Sequence, residues 1–451
     1  MRTEFIPSED KIFAWIEEVF GHGVRRPGYP ADRWAEEWLQ EQFRAFGLER
    51  VRGDPVDVPY WEPRAAKLTV ATAGSTLDIP CFPLPHSAPV ERVDAEVVAF
   101  DAARPEAVAS AFSLYDVVVN RVPQTILQSR ATWSYDPDET YASTKHILPF
   151  GREIQNVMEP SLAAGAAGFI GVLRDYPGDS YEYYVPYDAV ERPMPGVWTS
   201  GSQGERLRAL LADGAVRATL SVDSVREMIT SYNIVGELPG ADEETVIIGS
   251  HHDGPWASAV EDGSGIALML AQAAYWSQVP QAERPHRLLF LLNAGHMAGG
   301  AGQRTFVEAH AAELDRVVLE LHLEHAANEF SDETGVLAPT GRPESRWWFT
   351  SLIPRLQDAV RSAIEAEDLR RSMVVPPTMF GPKPTTDGAD FYLAGVPLVN
   401  YLTAPFYLFD AMDTLDKIHR PSLVPLTHAA IRIIEATGGV SASEMRIAAD
   451  V

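Results

Sequence analysis

Three apolar runs of this chain end in residues able to hold a cation. TVIIGS leads into His251, His252 and Asp253, RLLFLLNA into Gly295 and His296, and VVLELH into Leu323, Glu324 and His325. A short loop carries the first run on to Glu261-Asp262-Gly263-Ser264-Gly265, at the mouth of an expected helix. In the His-x-Asp spacing, His251 can ligate a metal while Asp253, pointing the same way on an extended chain, orients its ring. Glu261 and Asp262 add hard oxygen donors, and His322 and Glu324, two apart, share one face of their strand. His251, Glu261, His296 and Glu324 together make a nitrogen-and-oxygen set that suits one divalent transition metal, zinc foremost, with iron or manganese as alternatives. Such an ion lowers the pKa of bound water and polarises a carbonyl, which is the chemistry of amide hydrolysis. The reaction also needs a proton acceptor, for which Glu324, His252, Asp262 and Asp387 are the candidates.

Each of these residues has a plainer reading. A lone histidine at a strand end is more often a hydrogen-bonded core residue than a ligand, and a glutamate at a helix mouth is often only a partner of the helix dipole. Convergence changes the balance, because separate strands deliver metal-type side chains to one edge.

Those side chains require a framework that brings strand ends together. From about Ser231 onward, strands alternate with helices: NIVGELPG and TVIIGS, a helix over 265–276, RLLFLLNA, a helix near 301–312, VVLELHLEH, a helix over 344–366, AGVPLVNYL and a closing helix over about 421–437. Uninterrupted apolar strands in this alternation predict an α/β fold whose central sheet is mainly parallel, with helices on both faces. Ligands in such folds sit beyond the carboxyl ends of the strands. Two amphipathic helices, over 8–20 and 31–46, precede this region. Between them and it lies a stretch of short β-like runs, including LTVAT, AEVVAF, DVVVN and GFIGVL. The expected division is therefore 1–66 with 229–451 as the α/β unit, and 67–228 as an inserted β-rich unit.

The whole chain has 451 residues and a hydrophobic fraction of 46%, enough for two or three cores without staples. A formal charge of −26 argues against nucleic acid or an anionic membrane as partner. The single cysteine, Cys81, the absence of a signal-like amino terminus and the lack of a run of roughly 20 apolar residues predict a cytoplasmic protein outside the bilayer. No heptad seam is present, so self-association as a homo-oligomer stays open.

With the motifs in view, the chain resembles the di-zinc exopeptidases that include leucyl aminopeptidases, glutamate carboxypeptidases and the transferrin-receptor ectodomain. The resemblance is carried by NIVGELPG, VIIGSHHDG, AVEDGSGIALML, the strand ending at Ala294, and AGVPLVNYL with AMDTLDKI. It implies a zinc-aminopeptidase-like fold and a protease-associated domain as the β-rich insert. It also implies that His251 binds one metal and that Glu261 stands where an aspartate bridges two. Where the family has paired glutamates, a base and a ligand, this chain has Gly295 and His296; the next ligand position falls on Glu324. The family's last histidine would fall at Phe409 or Asp410, ahead of Asp413-Thr414, and neither is a histidine. The expectation is a metal-dependent hydrolase with one ion, acting on a small-molecule or short peptide amide. The alternative is a non-catalytic binding protein on the same fold. Because the replacements exchange one metal-binding type for another, they favour the enzyme. The segment PPTMFGPKPTTDG is expected to wall the substrate pocket.

Overall fold

In the computed structural model, which describes residues 1–71, 74, 76–149, 157–333 and 336–447, helix α1 (Glu9–Gly21) starts where the Ser8 hydroxyl accepts from the Lys11 amide. It buries Ile12, Trp15, Ile16 and Val19, the residues that recur at helical spacing. Helix α2 (Pro30–Phe46) opens on a proline and ends at Gly47, whose φ of 80° lies in the left-handed region.

Next come β1 (Glu49–Ala71), β2 (Val90–Ala99), β3 (Phe112–Val118), β4 (Trp133–Tyr135), β5 (Gly168–Arg174), β6 (Gly196–Ser200) and β7 (Arg217–Leu238). The chain continues through β8 (Thr245–His251), α3 (Gly265–Gln278), β9 (Arg287–Asn293), α4 (Ala301–Ala309), β10 (Val317–Leu323) and β11 (Arg346–Thr350). It closes with α5 (Pro354–Ala366), β12 (Ser372–Val375), β13 (Leu398–Thr403) and α6 (Leu423–Glu435).

The strands lie in the order β6-β5-β3-β2-β7-β9-β8-β10-β13-β11-β12-β4. At the centre, β9, β8, β10 and β13 pair in parallel, while β7 on one side and β11 on the other join antiparallel. Every residue of β8 and β10 is buried, as continuous apolar strands between two helical layers must be. The α/β fold expected from the alternation is borne out. Register then sets the site: His251 pairs with Asn293, Gly249 with His322, and His322 with Asn400, so the ends of four strands share one edge.

Two features depart from the expected elements. The segment read as one helix over 344–366 is strand β11 followed by α5, because Arg346-Trp347-Trp348-Phe349-Thr350 fits a buried strand paired with β13 and Pro354 suits a helical first turn. The texture changes near 67 and 229 fall inside strands rather than between them, since β1 and β7 pair from Glu49↔Glu237 to Ala71↔Arg217. The outer halves of that ribbon pack Leu68, Val70, Leu220 and Val222 with Val97, Phe112, Ile170 and Leu207 in a hydrophobic cluster of their own. Within the same stretch, β4 pairs with β12 at the far edge of the central sheet.

Candidate metal centre

His251 is the last residue of β8, and its ring is fixed by a 2.9 Å contact from Nδ1 to the Asp253 carbonyl. Its Nε2 faces Glu261 Oε1 at 3.4 Å without a hydrogen bond to any partner. Glu261 sits in the turn that leads into α3, where Asp413 holds the loop by accepting from the amides of Val260 and Glu261, each at 2.9 Å. His296 follows β9 and stacks on His251 with ring centroids 4.2 Å apart. Its Nε2 lies 3.5 Å from the same Glu261 oxygen, and its Nδ1 lies 3.0 Å from Asp387 Oδ2. His251, Glu261 and His296 each present a donor atom within 4.8 Å of the others. The shared ion expected of His251 and His296 is thus geometrically feasible.

Strand β10 and the two residues that follow it add three more groups. His325 Nε2 approaches Glu261 Oε2 at 2.6 Å, while its Nδ1 donates to the Thr403 carbonyl at 2.6 Å. Glu324 accepts from Asn400 Nδ2 at 2.6 Å, and His322 Nδ1 lies 2.8 Å from Glu320 Oε1. Except for His296 and Asp387, which are 15% and 11% exposed, these site side chains are almost wholly out of solvent.

So dense a set of buried titratable groups shifts its members apart. Burial alone would raise the Glu261 carboxyl, but His325 and His251 outweigh it and hold it well below the usual carboxylate range. Burial disfavours the charged His296 ring, yet Asp387 and Glu261 push it up to about 10. For Glu324 burial, reinforced by Asp387, pushes the carboxyl up to about 7. The donor set fits a cation on its own chemistry: His251 Nε2, Glu261 Oε1 and His322 Nε2 are buried polar atoms with no hydrogen-bond partner. Leaving such atoms unsatisfied in a dry interior is costly, and a bound ion removes that cost.

With this geometry established, similarity to known proteins becomes informative. Residues 233–434 match Peptidase family M28. The resemblance to zinc exopeptidases is borne out. The chain is 24% identical over 231 residues to a leucine aminopeptidase 2 of Trichophyton equinum, covering 51% of this chain and 39% of that one. It is 23% identical over 376 residues to a carboxypeptidase Q of Xenopus laevis, covering 78% and 71%. The chain therefore spans well under half the length of the leucine aminopeptidases it matches. Among solved structures, a peptidase M28 precursor of Shewanella amazonensis superposes with a TM-score of 0.74 at 20% identity over 96% of this chain and 94% of its own. A zinc aminopeptidase of Bacillus subtilis does so with a TM-score of 0.66 at 16% identity, over 94% and 95%. These two show the fold.

Measured against the M28 pattern, the altered positions have structural reasons. Gly295, where the resemblance implies a glutamate base, has φ of 66°, and a Cβ there would come within 2.7 Å of Val58 Cγ1. Phe409 is buried and stacks on Tyr187 at 4.9 Å, and Tyr187 in turn lies 5.4 Å from the His296 ring. An aromatic wall thus stands near the place of the family's last histidine.

Three other expected residues make further contacts. His252 points away from the cluster: its Nδ1 contacts Asp32 at 2.8 Å and its Nε2 the Tyr232 carbonyl at 3.0 Å, so neither nitrogen is left to take a substrate proton. Adjacent residues of an extended chain face opposite sides, which is why only one of the two histidines reaches the site. Asp253 orients His251 through its carbonyl rather than its carboxylate, whose oxygens accept from the amides of His296 and Met297 at 3.1 and 2.7 Å. Asp262 accepts from Ser250 Oγ and from the Gly265 amide, and its Oδ2 lies 3.8 Å from His251 Nε2, so that with His251 and His325 it offers another set of donors able to hold a cation. Conversely, Glu320 and Asn400 join the site without having been singled out, and His325, named at its strand end, had been given no role, although Glu320-x-His322-x-Glu324 within an apolar strand was a readable signal.

Proposed function

We propose that this chain is a metal-dependent peptidase, hydrolysing an amide bond of a short peptide or small amide around a zinc-type ion held by His251, Glu261 and His296. The observation that carries this reading is the meeting of those three donors from separate strand ends, two of them with buried atoms that lack hydrogen-bond partners. The match to Peptidase family M28 supports it. A divalent cation there supplies Lewis acidity, making water nucleophilic near neutral pH and polarising the scissile carbonyl.

The remaining work falls to side chains. Asp387, on His296 Nδ1, and the Asp253 carbonyl, on His251 Nδ1, fix the two rings so that each Nε2 turns towards Glu261. Glu324, buried beside the three donors and accepting from Asn400 Nδ2, is the proton acceptor in this scheme. The Tyr187 and Phe409 rings exclude water beside His296. One ion at this position is all the scheme requires. The cytoplasmic setting is part of the same proposal, in keeping with the lone Cys81.

Metal analysis of protein purified without chelator, paired with hydrolysis of a panel of aminoacyl amides and short peptides, tests the scheme. The wild type is expected to carry at least one equivalent of transition metal, and His251→Ala and His296→Ala to lose both ion and turnover. Metal-free wild type, or undiminished turnover in either variant, would instead favour a binding protein on the same fold.

A further inference from the structure

A cavity of about 200 Å³ opens where the start of β11, the turn after α5 and the first turn of α6 meet, and none of its lining residues belongs to the metal centre. Arg346 lines it while being only 4% exposed. Its Nη2 donates to Ser422 Oγ at 2.6 Å and its Nη1 to the Arg370 carbonyl, and neither acceptor carries a charge. Among the described residues no carboxylate pairs with this guanidinium. Burial holds its pKa below the ordinary arginine value, and its strongest electrostatic neighbours are Tyr401, Tyr141 and a second cation, Arg371. A buried charge without an opposite partner is costly.

The two carboxylates that line the cavity have cations of their own. Glu367 lies 2.7 Å from His428 Nδ1 and accepts from Arg432 Nε at 2.7 Å, while Asp368 accepts from Arg370 Nε at 2.9 Å and from the Tyr135 hydroxyl at 2.8 Å. His419, also in the lining, adds a donor. Burial and Arg346 push its pKa down to about 4, so the ring is neutral, and its Nδ1 lies 2.5 Å from Ser422 Oγ. Because Ser422 Oγ already accepts from Arg346, its own hydrogen goes to His419 Nδ1, which leaves the ring proton on Nε2. That Nε2 has no hydrogen-bond partner among the described residues. The opening turn of α6, with Ser422 and Pro425 at the cavity, presents the positive end of a 13-residue helix to the same space. Water filling the cavity would satisfy the donors but leave the Arg346 charge unmatched.

We propose that this cavity binds a small oxyanion, a phosphate or carboxylate group, held by Arg346, by His419 Nε2 and by the amino end of α6. The planar guanidinium suits either group, and the imidazole N–H and helix end add donors around it. In a chain of formal charge −26, whose surface repels anions in general, such binding is a property of this cavity. The site stands independently of the peptidase reading.

The test is calorimetric titration of the full-length protein with inorganic phosphate and, separately, with acetate. His251→Ala is titrated alongside, to remove any anion held by an ion at the metal centre. Wild type and His251→Ala are expected to take one equivalent of at least one of the two anions, and the tighter of the two identifies which group the cavity is built for. Arg346→Met and His419→Phe are expected to weaken that binding by about tenfold or more, with near-ultraviolet circular dichroism like that of the wild type. His419 is only partly buried, so its replacement reads the site even where Arg346→Met fails to fold. No saturable uptake of either anion by the wild type, unchanged affinity in a folded His419→Phe, or uptake that disappears in His251→Ala would overturn the proposal.

Discussion

His251 and His252 are neighbours in the chain with opposite obligations. His251 leaves Nε2 open towards Glu261, whereas His252 is locked between Asp32 and the Tyr232 carbonyl. Burial disfavours its charged form, but Asp32 and Glu36 push the His252 ring up to about 9, so it is an imidazolium serving structure. His252→Ala strands Asp32 in the interior and is expected to cost about 3 kcal/mol in urea unfolding. His251→Ala should cost much less stability while abolishing metal uptake. Equal destabilisation by the two replacements would contradict this division of labour. For Glu324, replacement by glutamine preserves the contact to Asn400 but removes the proton acceptor, and turnover should fall by roughly 100-fold or more with the fold intact. The sequence displayed most of the donors because a histidine or glutamate at the end of an apolar strand is conspicuous. It picked out His251 as the ligand but could not show that His252 is captured, since Asp32, the partner that holds it, lies in helix α2, far away in the chain.

At the scale of elements, the site depends on a loop that no regular structure supports, the segment from His252 to Glu261. Arg25 holds it: the buried guanidinium donates from Nε to the His252 carbonyl at 3.2 Å and from Nη2 to the Ser258 and Glu261 carbonyls at 3.0 and 3.3 Å, with Nη1 on Ala257. Replacing it by methionine keeps much of the volume and forfeits every one of these bonds. The expected loss is about 3 kcal/mol in chemical denaturation, with weaker metal retention because Glu261 is no longer positioned. A variant as stable and as metal-loaded as the wild type would show that the loop holds itself. The physical task of Arg25 was not legible in the sequence, because the carbonyls it satisfies lie more than two hundred positions away. Non-local pairing also explains the misread strand. Trp347, Trp348 and Phe349 merge with the helical residues that follow, and only β13 alongside makes them a strand. Asp387 reaches the site from the turn before a short helix, Ala389–Leu393, where no periodicity marks it.

Across the whole molecule, the strongly acidic composition hides local positive clusters, and one of these fixes a response to acid. His86 lies where the amino-terminal segment, the β1–β7 ribbon and the stretch near Arg192 converge, with its ring 5.8 Å from that of Trp61 and its Nε2 buried without a hydrogen-bond partner. Burial, helped by Arg192, Arg226 and Arg26 against the opposing pull of Asp188, drives its pKa down to about 4. Unfolded, the ring titrates near 6.5, so between these values the unfolded chain binds a proton that the folded chain refuses. Stability from this group is complete above pH 6.5 and declines as the pH falls towards 4, by roughly 3 kcal/mol in all. Asparagine tolerates the left-handed φ of 58° at this position and does not titrate. In His86→Asn the drop in unfolding free energy between pH 6.5 and 4, measured by urea denaturation, should therefore be shallower than in the wild type by about that amount. Parallel pH profiles for the two proteins would mean that the folded chain admits a charged His86, and that this junction is wetter than its burial implies.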